Sequence, residues 1–227
     1  MAAKASLAVV LEHGHKKVFA VARDWPGWSR SGKSDDEAVA ALLAYAPRYA
    51  RVVKAAGIKR SLPSADATPK IVQRLEGGSG TDFGVPGVSS REDTEPLTGA
   101  ELKRQQAILE ASWKAFDAMA RKAKGKTLTV GPRGGGRTLA KMTAHLLDAE
   151  IAYLGQLGSR HAKPEQNHDE IAQVRREALA ALRARTAGRR LPNPRNTKRP
   201  WTPRYFIRRS AWHSLDHAWE LEDRTAD

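Results

Sequence analysis

The chain has 227 residues, of which 41% are hydrophobic and 28% are charged, a composition typical of a soluble globular protein. It has no cysteine, no apolar run near the roughly 20 residues of a membrane span and no signal peptide, which predicts a cytoplasmic protein without disulfides or thiolate metal sites. The formal net charge of +14 is spread over both halves, so attraction to nucleic acid or anionic metabolites is permitted but not established.

The first 80 residues alternate between short apolar runs and turn residues. Residues 6–11 and 17–23 predict two strands that are joined by a turn at Gly14. Residues 70–75 predict a later strand of the same kind. The alternation of short apolar runs with turns therefore predicts a small unit that contains a β-sheet.

A helix is predicted between these strands. Ser34 is followed three residues later by Glu37, which is the spacing of a capping box, so we expect a helix from there to about Ala56. The run DWPGWSRSGKSDDEAVAALLAY, residues 24–45, resembles the HicB-like fold, whose chains also carry a proline-glycine turn, a short strand and an alanine-rich helix. The resemblance implies a β-β-β-α-β domain over residues 1–80, without implying an antitoxin activity.

The second half is predicted to be helical. Residues 81–97 contain many Gly, Ser, Pro, Asp and Thr and are predicted to link the two halves. Apolar residues recur at helical spacing over four segments: 99–123, 138–157, from beyond Pro164 to near Gly188, and from Pro203 to about Arg224. The predicted fold class is therefore α+β, with a small sheet domain followed by a four-helix bundle over residues 98–227.

Three histidines of the second half form a candidate metal site. His213 and His217 are four residues apart on the last predicted helix, so their side chains point the same way and can ligate one zinc or nickel ion. The same spacing also occurs in ordinary packing. His145, in the middle of the second long helix, supplies a third imidazole, and three such ligands leave room for water or substrate.

This layout is similar to the DinB-like superfamily, which includes mycothiol-dependent maleylpyruvate isomerases. Those proteins are four-helix bundles with one metal-ligand histidine in the second helix and a histidine pair in the last. The resemblance covers about residues 95–227 and implies a divalent metal held by His145, His213 and His217. It also implies thiol S-transfer, isomerisation or hydrolysis of a small electrophilic substrate, for which an external low-molecular-weight thiol fits. The two patterns differ after the pair, where many relatives have histidine, arginine, glycine and glutamine and this chain has Ala218 to Glu222.

Two carboxylates are candidate catalytic residues beside these ligands. Asp148 follows His145 by three residues and Glu220 follows His217 by three. At that spacing each could orient an imidazole, and Glu220 could also act as a base. The alternative is that both are solvated charges on helix surfaces.

A glycine-rich segment, residues 131–138, nearly matches a phosphate-binding loop. Arg137 replaces the expected lysine, and helices rather than alternating strands follow. We interpret the segment as a loop between two helices, in which Arg133 could still hold an anion near the start of the next helix.

Residues 183–209 contain ten Lys and Arg and no Asp or Glu, with Trp201 and Tyr205 interleaved. This pattern fits either a nucleic-acid surface or a solvated loop, and we favour the loop with weak, salt-sensitive binding to nucleic acid. The remaining histidines are predicted to lie on the surface: His13, His15, His161 and His168.

Two functional hypotheses follow from these patterns. The first is a metal-dependent enzyme that acts on a small-molecule substrate. The second is a non-catalytic module that binds nucleic acid or a protein partner and in which the histidines are structural. The sequence leaves a homodimer open under either hypothesis.

Overall fold

A computed structural model describes residues 6–131, 136–161, 169–192 and 198–225 of the chain. Its first half contains one four-stranded sheet in the order β3-β2-β1-β4. β1 pairs antiparallel with β2 and parallel with β4, and β2 pairs antiparallel with β3. The strands are β1 (Ser6–His13), β2 (Val18–Ala22), β3 (Ser29–Gly32) and β4 (Thr68–Glu76). The implied succession along the chain, three strands, a helical segment and a fourth strand, is confirmed, whereas the assignment to the HicB-like fold stays a prediction.

Two helices, and not the single one predicted, connect β3 to β4. α1 (Asp35–Ala44) begins after Ser34, whose hydroxyl accepts a hydrogen bond from the Glu37 amide, and it ends at Tyr45. α2 (Ala46–Ala55) then starts with Pro47 in its first turn. Because proline has no amide hydrogen, it cannot continue the ladder of α1 but is tolerated where a new helix begins. The prediction of one uninterrupted helix to Ala56 was therefore wrong.

Four long helices form most of the second half, after two short ones, α3 (Ser79–Phe83) and α4 (Arg91–Thr94). Each long helix contacts the other three, mainly through buried apolar side chains. They are α5 (Gly99–Ala123), α6 (Leu139–Leu157), α7 (Glu170–Thr186) and α8 (Pro203–Thr225). The mixed class of a sheet followed by helices is confirmed. Within the described residues, no helix has the length and apolar character needed to cross a membrane.

α8 lies between the sheet unit and the other long helices. Its Leu215 and Trp219 belong to the same buried cluster as Leu11 of the sheet and Trp28 of the turn before β3. On another side, its Phe206 packs with residues of α6 and α7. The two halves therefore share one buried interior. The bounds 1–80 and 98–227, with a linker at 81–97, stay a prediction.

The turn that precedes β3 packs closely against α8. The Trp28 indole donates to the Leu42 carbonyl at 2.8 Å, and the Tyr49 hydroxyl donates to the Pro26 carbonyl at 2.7 Å. Gly27 has a φ of 89°, and a Cβ placed there would lie 2.9 Å from the Cβ of Ala211. Only glycine combines this backbone conformation with so close an approach.

A cluster of ion pairs holds the segment before α5 against α8. The Arg208 guanidinium donates to the Asp93 carboxylate at 2.6 and 3.0 Å, and that carboxylate is almost fully buried. The Arg204 guanidinium donates to the Glu101 carboxylate at 2.7 Å. We call these four residues the anchor cluster. The segment before α5 has the composition of a loop, but charge-assisted hydrogen bonds hold it against α8.

Candidate metal centre

The three predicted histidines converge between α6 and α8. The Nε2 atom of His213 lies 3.1 Å from Nε2 of His145 and 3.2 Å from Nε2 of His217. One ligand nitrogen from each residue falls within 4.8 Å of the others. Nitrogen ligands about 2.0–2.1 Å from one tetrahedral ion are themselves about 3.3 Å apart, so the observed separations fit a single metal ion.

The packing of α6 against α8 explains this convergence. On α6, His145 lies beside Met142 and Leu146, which are fully buried against α8 residues. On α8, Leu215 faces the sheet unit. The histidine pair therefore lies on the side of α8 that faces α6. The apolar faces of the two helices predict this placement.

Burial and one hydrogen bond to a carboxylate determine how these imidazoles can ligate a metal ion. The His217 Nδ1 atom lies 3.1 Å from a Glu220 carboxylate oxygen, which can only accept, so Nδ1 donates to it and Nε2 is the atom that lies next to His213. Burial lowers the pKa of His213 well below its ordinary value, and the nearby His217 and Arg209 act in the same direction. Burial also lowers the pKa of His145. Burial thus favours the neutral forms of His145 and His213, which are the forms that ligate a metal ion.

The two predicted acidic residues have different surroundings. Glu220 accepts hydrogen bonds from His217 and, at 3.0 Å, from Arg224. The hydrogen bond from His217 is the main reason that the pKa of Glu220 is lowered, which keeps it ionised. Asp148 is exposed, and no hydrogen bond joins it to His145. The structure thus brings Glu220 to the histidines and leaves Asp148 at the surface, and the catalytic roles of both stay predictions.

Aromatic rings and one arginine complete the surroundings of His213. The rings of Tyr153 and Trp212 lie 5.7 and 6.1 Å from the His213 ring, between centroids. The Arg209 guanidinium lies over both, 4.6 Å from the Trp212 ring and 5.4 Å from the Tyr153 ring. No sequence pattern pointed to these residues, although Arg209 precedes His213 by one helical turn. We call the whole group the histidine pocket: His145, Tyr153, Arg209, Trp212, His213 and His217.

The glycine-rich segment is a connection between α5 and α6 where it is described. Residues 127–130 form no strand, and Arg133 lies outside the described residues, as do the rest of 132–135. Arg224 of α8 donates to the carbonyls of Thr129 and Arg137 at 2.8 and 3.0 Å. These contacts hold both ends of the connection against α8.

Of the other histidines, His15 is exposed, as predicted. The His13 ring lies 2.7 Å from the Asp35 carboxylate, and His168 lies outside the described residues. The prediction for His161 was wrong, because its side chain is only 6% exposed and its ring contacts two carboxylates of α7, those of Glu170 and Glu177.

The basic stretch over residues 183–209 is partly internal. Its Arg204 and Arg208 belong to the anchor cluster and are buried. Residues 193–197 lie outside the described part of the chain. The arginines of the anchor cluster are therefore not available to a nucleic acid, and weak binding by the remaining cations stays a prediction.

Comparison with known proteins gives one match. Residues 108–221 match the model of the DinB superfamily. The matched region covers half of the chain and includes His145, His213 and His217. No curated protein and no solved structure matches the chain.

Proposed function

This chain belongs to the DinB superfamily, and on that premise we propose that it is a metal-dependent enzyme whose His145, His213 and His217 hold one divalent ion, zinc or nickel. The observation that supports the proposal is the convergence of three imidazole nitrogens from two helices. Three protein ligands are typical of catalytic zinc sites, which keep a further position open. A metal ion bound there would lower the pKa of a water or thiol and so supply a nucleophile near neutral pH.

The remaining residues of the site position the ligands. Glu220 fixes the ring of His217 through its Nδ1 hydrogen, and Arg224 holds Glu220 in turn. His145 is more exposed than His213 and His217, so a small molecule would reach the pocket from the side of His145. We infer that this opening admits the substrate.

The proposed reaction is the attack of an external low-molecular-weight thiol, or of water, on a small electrophile. Three outcomes are compatible with such an attack: S-transfer, isomerisation and hydrolysis. Because the chain has no cysteine, its own side chains cannot provide the thiol. The nucleophile therefore has to be bound from solution.

Metal content tests this proposal directly. The protein is purified without a histidine tag, and its metals are measured by mass spectrometry. We expect about one divalent ion per chain in the wild type and a clear loss in His213→Ala, since the two remaining imidazoles make a poor site. His15→Ala is the matched control, because His15 is exposed and lies outside the site. Strongly sub-stoichiometric metal in the wild type would instead favour a non-catalytic binding module.

A further inference from the structure

Arg209 is a buried cation for which the described part of the chain supplies no counter-charge. It is 9% exposed, and its Nη1 atom is buried and has no hydrogen-bond partner. Within the described residues, the side chain forms no hydrogen bond or ion pair, and its guanidinium stacks on two aromatic rings. Nη1 is thus a buried donor that makes no hydrogen bond, and leaving such a donor unpaired is costly. A ligand that accepts hydrogen bonds would satisfy it.

The position of Arg209 indicates where that partner would lie. The guanidinium lies over the rings of Tyr153 and Trp212, and both rings also flank the His213 ring. Arg209 therefore lies beside the histidines. Because it carries a positive charge, it would attract an anion and would not ligate a metal ion. An anionic group bound to Arg209 would be held beside the proposed metal.

Tyr153 adds a second donor in the same place. Its hydroxyl forms no hydrogen bond with any described residue. A guanidinium and a phenol that both donate, with flat aromatic walls around them, match a carboxylate on a small organic molecule.

We propose that Arg209 binds a carboxylate of the small molecule that reacts at the histidines, so that the protein selects carboxylate-bearing substrates or thiols. This inference rests on the proposed function, because it takes the histidine cluster as the reacting centre. Arg209 is a specificity-determining residue in this arrangement, and Tyr153 is a second donor to the same carboxylate. The adjacent apolar walls favour a ligand whose carboxylate is its main polar group.

A pair of thiols of equal length tests the proposal. Protein loaded with Co²⁺ is titrated with 3-mercaptopropionate or with 3-mercapto-1-propanol, and binding is followed through the sulfur-to-cobalt absorption band. A hydrogen bond to a charged group predicts a preference of about tenfold or more for the carboxylate in the wild type. Arg209→Met should abolish this preference, and Arg209→Lys should keep part of it. Arg189→Met, at an exposed arginine, is the control and should behave as the wild type.

The outcomes separate the two proposals. If neither thiol binds the cobalt-loaded wild type, the thiol chemistry of the proposed function is overturned. If both bind equally, or if Arg209→Met keeps the preference, only the assignment of Arg209 is overturned.

A second measurement needs no metal. In the metal-free protein, propionate should raise the Tm of the wild type and leave that of Arg209→Met unchanged. Without propionate, Arg209→Met should unfold at the same temperature as the wild type or higher, because it removes an unpaired buried charge. A Tm that falls by several degrees would show that Arg209 serves the packing, and it would overturn the proposal.

Discussion

Arg208 and Arg209 are adjacent on α8 and equally buried, yet their surroundings are opposite. The Arg208 guanidinium donates to both oxygens of Asp93 and to the Val88 carbonyl. The Arg209 guanidinium lies over two aromatic rings and pairs with no carboxylate of the described residues. Burial of a charged residue therefore does not by itself indicate a functional site. What distinguishes the two residues is whether the protein supplies a partner for the charge.

The same contrast holds between the two regions to which these residues belong. In the anchor cluster, cations and carboxylates pair at hydrogen-bonding distance. In the histidine pocket, three imidazoles face one another, and the buried Nδ1 of His213 and Nη1 of Arg209 find no hydrogen-bond partner among the described residues. Buried polar groups are nearly always hydrogen-bonded in native proteins, so these two nitrogens beside the histidine cluster support a ligand at this site.

The largest effect is expected in the anchor cluster. Asp93→Ala removes the counter-charge of Arg208 and leaves a buried cation unpaired, so we expect it to lower the free energy of unfolding by about 3–5 kcal/mol. Urea unfolding measures this. Glu92→Ala is the control, because the Glu92 side chain is 40% exposed, and it should cost less than about 1 kcal/mol. Similar midpoints for the two variants would contradict the distinction between the regions.

A smaller effect is expected on metal affinity, at the carboxylate of Glu220 beside His217. Glu220→Gln replaces the carboxylate that orients His217, and loss of such a partner lowers metal affinity by roughly 10–100-fold. Competition with a chromogenic chelator measures the affinity. Asp148→Asn is the matched control, because Asp148 is exposed and not bonded to His145, and its affinity should stay near that of the wild type. An equal loss of metal affinity in both variants would mean that Asp148 also supports metal binding, which its exposed position does not predict.

The smallest effect concerns acid stability. Hydrogen bonds from Arg204 and from Thr98 lower the pKa of Glu101 to about 2 from an ordinary value of 4.5. The folded chain therefore binds fewer protons between these values, and stability is lost as the pH falls through that window. Because Glu101 is partly exposed, we expect a contribution below about 1 kcal/mol.

Unfolding in urea at pH 3 and pH 6 tests this contribution of Glu101. The difference in midpoint between the two pH values should be smaller in Glu101→Gln than in the wild type. An unchanged difference would mean that the Glu101–Arg204 pair in the anchor cluster does not contribute to acid sensitivity.

Local sequence patterns were sufficient for most elements and for the three histidines. The apolar residues at helical spacing over 99–123 predicted α5, which runs from Gly99 to Ala123. The pair on α8 was visible because residues four apart share a helix face. His145 could be added because it lies among apolar positions of a helix that had to pack against another.

The partners of charged side chains could not be predicted in the same way. Asp93 lies in a segment with the composition of an exposed loop, but it is buried because Arg208, far along the chain, reaches it. His161 was assigned to the surface, but α7 covers it with Glu170 and Glu177. Composition reports the average tendency of a segment to be solvated, whereas these contacts depend on which elements meet in the fold.

The contact between Gly27 and Ala211 limits which side chains fit at either position. A carbon added to Gly27 would meet the side chains of Ala211 and Leu215 at 2.9 and 3.0 Å. Neither Gly27 nor Ala211 can therefore be enlarged unless the opposite surface changes with it. Since Ala211 is two residues from His213, the shape of the sheet unit constrains the helix that carries the histidines. A chimaera that joins this sheet to the helices of another family member would need a residue no larger than alanine at position 211.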